Sequence, residues 1–144
     1  MGPAERFVQS GFLVVDKPTG ISSAKAVAIA KKQISPHRIG HAGTLDPFAS
    51  GILVLLVNNA TRCMTQVMGG EKEYVGECLF GVRSASDDGT EELIPAGAPV
   101  PTLAVIQNAA RCLTGTIAQI PPAISAVHVS GERAYVRARR GEEV

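Results

Sequence analysis

Ile52-Leu53-Val54-Leu55-Leu56-Val57 is the longest strongly apolar run in the chain. Six residues are too few to cross a bilayer. Bounded by Gly51 and by Asn58-Asn59, they read as a buried strand. Phe12-Leu13-Val14-Val15 is a shorter run of the same kind. Asp16 to Gly20 breaks it as a loop. Ser22 or Ser23 can then cap a helix. In that helix Val27, Ala30 and Ile34 share one face, with Lys25 and Lys32 opposite. Pro36 ends it. Residues 35–51 hold two Pro, three Gly and two His, and read as a long connection of the kind that often carries function.

Beyond the central run, Asn58 or Asn59 can cap a helix reaching about Met68, closed by Gly69-Gly70. Residues 72–82 alternate, with Tyr74, Cys78, Phe80 and Val82 on one side and Glu73 and Glu77 on the other. That pattern predicts a half-buried strand. A polar, then Pro- and Gly-rich connection covers 84–101, and Thr102 caps a helix to about Leu113. Residues 115–122 are rich in turn formers. Val127 to Val129 and Ala134 to Val136 flank Ser130-Gly131-Glu132 as a hairpin. The expected class is α+β, a mixed, largely antiparallel sheet with flanking helices. Residues 1–10 read as a tail and 11–144 as one domain.

The composition is globular: 45% of the 144 residues are hydrophobic and 19% charged. Without Trp and with 4% aromatics, the core must come from Val, Ile, Leu and Ala. The net charge of +1 does not by itself point to nucleic acid. Its distribution is uneven: +4 over residues 1–70, −5 over 71–92 and +2 over 93–144. Cys63, Cys78 and Cys112 form no CxxC pair, which argues against a disulfide framework and fits a reducing, cytoplasmic setting. The first ten residues hold no apolar core of signal-peptide length. His37 and His41 lie four apart, a metal-ligand spacing in a helix, but Pro36, Gly40 and Gly43 argue against a helix there. No metal site is expected.

Asp46 is the acid that stands out. Pro47 drives it toward an extended backbone, and Gly43 and Gly51 permit tight turning on either side. Such a loop can hold one carboxylate at a fixed angle. On this pattern alone, a plain Asp-Pro turn is the commoner explanation, as a core tyrosine is for Tyr74. There is no phosphate-binding loop, dinucleotide fingerprint or serine nucleophile elbow.

The run Gly40 to Gly51, GHAGTLDPFASG, resembles the signature loop of the TruB family of tRNA pseudouridine synthases. Other elements follow in the family's order: Gly11 to Pro18 (GFLVVDKP), Gly20 to Ser23, Ala60-Thr61-Arg62, Lys72-Glu73-Tyr74, Gln119 to Pro122, Ser125-Ala126, Gly131, Arg133-Ala134-Tyr135 and Ala138-Arg139. The resemblance implies the pseudouridine synthase fold and an enzyme that isomerises uridine 55 of the tRNA T loop after flipping the base. It implies Asp46 as nucleophile and Tyr74 as a catalytic partner stacked on the base. His41 would fill the space left by the extruded uridine, and Thr44 would help hold the loop. Lys17 and Arg38 would lie against RNA. It implies no cofactor, a tRNA partner bound at its T arm, and a monomer. A non-catalytic tRNA-binding or folding module, or a guide-RNA-dependent relative, is the alternative.

Two departures stand against the family pattern. Its acidic TDTxDxxG turn is reduced to Arg83-Ser84-Ala85-Ser86-Asp87-Asp88-Gly89. The SxGTYIR element, whose Arg pairs with the catalytic Asp, has no counterpart before Val144, nor has the small C-terminal RNA-binding domain. The chain therefore reads as an N-terminal portion, incomplete at the C-terminus. The 144 residues alone are expected to release little or no tritium from uridine-labelled tRNA; near-normal turnover would refute this.

Overall fold

In the computed structural model, residues 7–86, 88–118, 128–129, 131–133 and 140 are described. The chain divides into two compact units, Met1–Tyr74 and Val75–Val144.

The first unit is organised by its most apolar strand. β1 (Gly11–Lys17), α1 (Ser23–Ile34), β2 (Ile39–Ala42) and β3 (Gly51–Val57) follow in order. β3 lies between the other two strands and is antiparallel to both. The register sets Leu13 opposite Leu55 and Val15 opposite Leu53. Side chains alternate across a strand, so these four share one face. Ala26 and Ala30 of α1 pack on Leu53 and Leu55, with Leu13, Val15, Ile21, Val27, Ile39 and Leu45 around them. The small alanines let the helix approach the sheet closely. On the opposite face Phe12, Val14 and Ile52 are exposed, while Leu56 is buried.

α1 begins where the sequence sets a cap. The Ser22 hydroxyl accepts from the Lys25 N–H at 3.2 Å, satisfying one of the free amides of the first turn. The helix stops at Ser35, which adopts a left-handed conformation (φ 44°) and donates its N–H to Lys31 O. Lys31 and Lys32 sit in the last turn, where a positive charge suits the helix dipole.

Three expectations for residues 35–79 are corrected. Residues 35–51 contain β2, which pairs Ile39 with Val57 and Ala42 with Val54. Its sequence, Ile-Gly-His-Ala, has little strand propensity; the free edge of β3 makes it a strand. Asn58 does not cap a helix with its side chain. A 3-10 turn (Asn58–Cys63) leads instead into the short α2 (Met64–Met68), and neither has a side-chain cap. Residues 71–79 form no strand, and Tyr74, Val75, Cys78 and Leu79 are exposed. Alternation supplies one apolar face, but a strand also needs a hydrogen-bonding neighbour, and no described strand pairs with 71–79.

Asn58 instead joins three parts of the chain: its own turn, residues 7–9 and Arg38. It is buried, with φ 52°. Its Oδ1 accepts from the Arg38 N–H (3.1 Å), and its Nδ2 donates to Phe7 O (2.9 Å) and Gln9 O (2.7 Å). Its own N–H donates to Arg38 O. Residues 7–10, read as part of a tail, are thereby tied to the sheet; Phe7 also donates to Ser35 O, and the Ser10 hydroxyl accepts from the Asn59 N–H.

The second unit holds the hairpin β4 (Val82–Arg83) and β5 (Ile94–Pro95), the helix α3 (Leu103–Cys112) capped by Thr102, and the hairpin β6 (His128–Val129) and β7 (Glu132–Arg133). The last hairpin is tighter than the sequence suggests, and positions 134–136 lie outside the described residues. In the shortened acidic turn, the Asp88 carboxylate accepts from the Thr90 hydroxyl, the Ser86 hydroxyl and the Thr90 N–H. These bonds favour its ionised form and lower its pKa, the Thr90 hydroxyl first.

Asn58→Ala removes three side-chain hydrogen bonds and puts a Cβ-strained residue at positive φ. It should cost about 2–4 kcal/mol in urea unfolding. Asn58→Gly should cost about 1 kcal/mol less, because glycine relieves the backbone strain.

Candidate active site

Asp46 lies in the connection between β2 and β3, at the first position of a turn. Its carbonyl accepts from the Ala49 N–H at 3.1 Å, and Pro47 occupies the second position, where a fixed φ near −65° favours such turns. The Asp46 side chain is exposed. Gly43 (φ 101°) and Gly51 (φ 124°) lead into and out of the loop in conformations that a side chain would strain.

The backbone on each side of Asp46 is tied to residues 17–23, from the end of β1 to the start of α1. Before it, the buried Ser23 hydroxyl donates to Leu45 O (3.0 Å) and accepts from the Leu45 N–H (2.9 Å). After it, Pro47 O accepts from the Gly20 N–H at 2.7 Å and from Lys17 Nζ at 3.5 Å. Gly20 has φ 84°, which lets its amide turn toward the loop.

Lys17 is fully buried. Its ammonium has three donors, and three carbonyls meet them: Ile21 O at 2.8 Å, Pro18 O at 3.0 Å and Pro47 O at 3.5 Å. An ammonium withdrawn from water needs such partners. The expected contact between Lys17 and RNA does not fit this position. The charge is enclosed and spent on carbonyls of the two loops, so Lys17 joins them from within.

His41 lies in β2, half buried, and its Nδ1 sits 2.5 Å from Gly43 O. A carbonyl only accepts, so Nδ1 carries the proton and Nε2 is the remaining ring nitrogen. Thr44 is exposed two residues before Asp46. Arg38 is exposed at the entrance to β2, with its backbone N–H and C=O both bound to Asn58. Tyr74 is exposed at the end of the first unit, in the irregular stretch. Its expected position on the apolar face of a strand is not realised. Asp46, Thr44 and His41 are thus gathered in one loop and its leading strand, with Lys17 beneath. Among the described residues, no hydrogen bond connects Tyr74 to that loop.

Sequence reasoning missed the role of Ser23. The available signal was the tandem Ser22-Ser23, since a helix start needs one capping hydroxyl. Among the described residues, no three His, Cys, Asp or Glu side chains gather as a metal site would require, and no helix is long and apolar enough to cross a membrane.

An α+β chain with one exposed carboxylate on a doubly tethered loop is the class that fold and site define. Residues 31–144 match the model of the TruB family pseudouridylate synthase (N terminal domain). The chain belongs to that family. A tRNA pseudouridine synthase B from Leifsonia xyli subsp. xyli is 44% identical over 141 residues, covering 95% of this chain and 47% of the relative. A tRNA pseudouridine synthase B from Synechococcus sp. (strain CC9311) is 43% identical over 136 residues, covering 93% and 45%. The chain spans about half the length of the curated relatives it matches. A solved H/ACA ribonucleoprotein bound to a substrate RNA containing 2′-deoxyuridine is 41% identical over 39% of this chain and 18% of that one. Its TM-score of 0.38 is too low to bear on the fold.

Replacing Lys17 with Ala should remove three hydrogen bonds to carbonyls, leaving Pro47 O with the Gly20 N–H alone, and open a gap beneath the loop. The expected loss is about 2–4 kcal/mol, measured by thermal unfolding.

Proposed function

We propose that this chain carries the reactive carboxylate of a tRNA pseudouridine synthase acting on uridine 55 of the T loop. The observation behind this reading is the tethered Asp46 loop in a member of the TruB family. The reaction is an isomerisation. The N1–C1′ bond of uridine breaks, the base turns, and a C5–C1′ bond forms; C5 gives up a proton and N1 gains one. Nothing is oxidised or reduced, so the chemistry calls for a positioned base or nucleophile and no redox cofactor.

Asp46 suits either role. It is exposed, so a flipped nucleotide has access to it, and its backbone is restrained by neighbours on both sides. A carboxylate held in place is ready for attack at C1′ or for proton removal from the sugar without reorganising. His41 presents a half-buried ring fixed at Nδ1, suited to stacking where the extruded base had been. The exposed Tyr74 is assigned to stack on the target base, and Thr44 to support the loop. Arg38, exposed with a fixed backbone, is suited to a backbone phosphate of the T arm. The protein is taken to act as a monomer in the cytoplasm.

The test is chromosomal. In cells whose only copy of the gene carries Asp46→Asn, uridine 55 should remain unmodified when pseudouridine is mapped by carbodiimide labelling and primer extension. Arg38→Ala should weaken tRNA binding modestly and flatten its salt dependence. Full modification in the Asp46→Asn strain would exclude the catalytic reading and leave a tRNA-folding module in its place.

A further inference from the structure

We infer that Ser23 is a positioning residue for Asp46: its buried hydroxyl stands in for a strand neighbour at Leu45 and so sets the direction in which the carboxylate leaves the loop. This rests on the reading of Asp46 as the reactive group.

In an antiparallel ladder, a hydrogen-bonded pair holds each residue by both its N–H and its C=O. Leu45 has such a two-point grip outside any sheet. One side-chain oxygen supplies both halves, accepting from the Leu45 N–H at 2.9 Å and donating to Leu45 O at 3.0 Å. A hydroxyl is the smallest side-chain group with a donor and an acceptor at one atom. Ser23 is 2% exposed, so water is not at hand to replace it.

The helix does not need this hydroxyl. Ser22 already caps α1, which leaves Ser23 for the loop. The Leu45 side chain packs against the core that α1 and β3 form, so Leu45 is held through both side chain and backbone. The next peptide belongs to Asp46, whose carbonyl is closed into the turn with Ala49. Without the hydroxyl, the Leu45 peptide can rotate and carry the Asp46 carboxylate with it. Displacements of about 1 Å in a reacting group can cost about a hundredfold in rate.

The experiment compares Ser23→Ala with Ala30→Gly, a core change in the same helix that leaves the loop's hydrogen bonds alone. Amide hydrogen exchange on the purified chain reads the grip directly. In Ser23→Ala the Leu45 amide should lose protection while the amides of α1 keep theirs; in Ala30→Gly the helix amides should weaken and Leu45 should not change selectively. In cells with matched protein levels, Ser23→Ala should slow T-loop pseudouridine formation about 10- to 100-fold, and Ala30→Gly should not. Ser23→Cys keeps the volume with weak hydrogen bonding and should show the same pattern if the alanine variant does not fold. Unchanged Leu45 exchange, or equal slowing by Ala30→Gly, overturns the inference. If Asp46→Asn leaves modification intact, the functional reading fails on its own, and the exchange comparison still decides whether Ser23 grips the loop.

Discussion

Leu45 and Pro47, the neighbours of Asp46, are held by the stretch that runs from Lys17, the last residue of β1, to Ser23, the first of α1. Ser23 binds both backbone groups of Leu45; Gly20 and Lys17 bind the carbonyl of Pro47. Pro47 and the two glycines make this loop turn-prone but do not hold it in place. Its shape comes from a second loop, some twenty to thirty positions away, that supplies donors and an acceptor at the right points. The buried Lys17 makes this arrangement hard to relax, because moving either loop would leave an ammonium without partners in a dry setting.

The two loops can meet only because β3 brings them together. β1 ends at Lys17 and β3 begins at Gly51, and the register sets these two residues opposite one another. The segment before β3 and the segment after β1 therefore emerge at the same end of the sheet. α1, packed through Ala26 and Ala30 on Leu53 and Leu55, delivers its first turn to that end. The hydrophobic burial of one face of β3 thus decides where a polar clasp can form. At the other end, Asn58 performs the matching task, joining residues 7–9 to the start of β2.

The elements legible in the sequence were those that carry their own signals. β1, β3, α1 and α3 have apolar runs or helical periodicity bounded by capping hydroxyls, and Ser22 and Thr102 do cap. The elements that misled depend on a partner elsewhere in the chain. β2 has weak propensity and becomes a strand through β3. The stretch around Tyr74 has the right alternation, but no strand among the described residues pairs with it. The family resemblance set Lys17 against RNA, whereas its burial goes with three carbonyls that no local pattern foretells.

The sequence by itself determined that Asp46 lies in a turn-prone loop ahead of a buried strand, and its ordered motifs identified the family. Both follow from local chemistry: the φ of Pro47, the freedom of Gly43 and Gly51, and the apolar run that follows them. Only the tertiary structure decided that the loop is gripped from both sides, that Ser22 and Ser23 divide capping from clasping, and that Lys17 faces inward. Those outcomes turn on hydrogen bonds between residues 22 to 30 positions apart, and such bonds exist only once β3 has set the register that joins them.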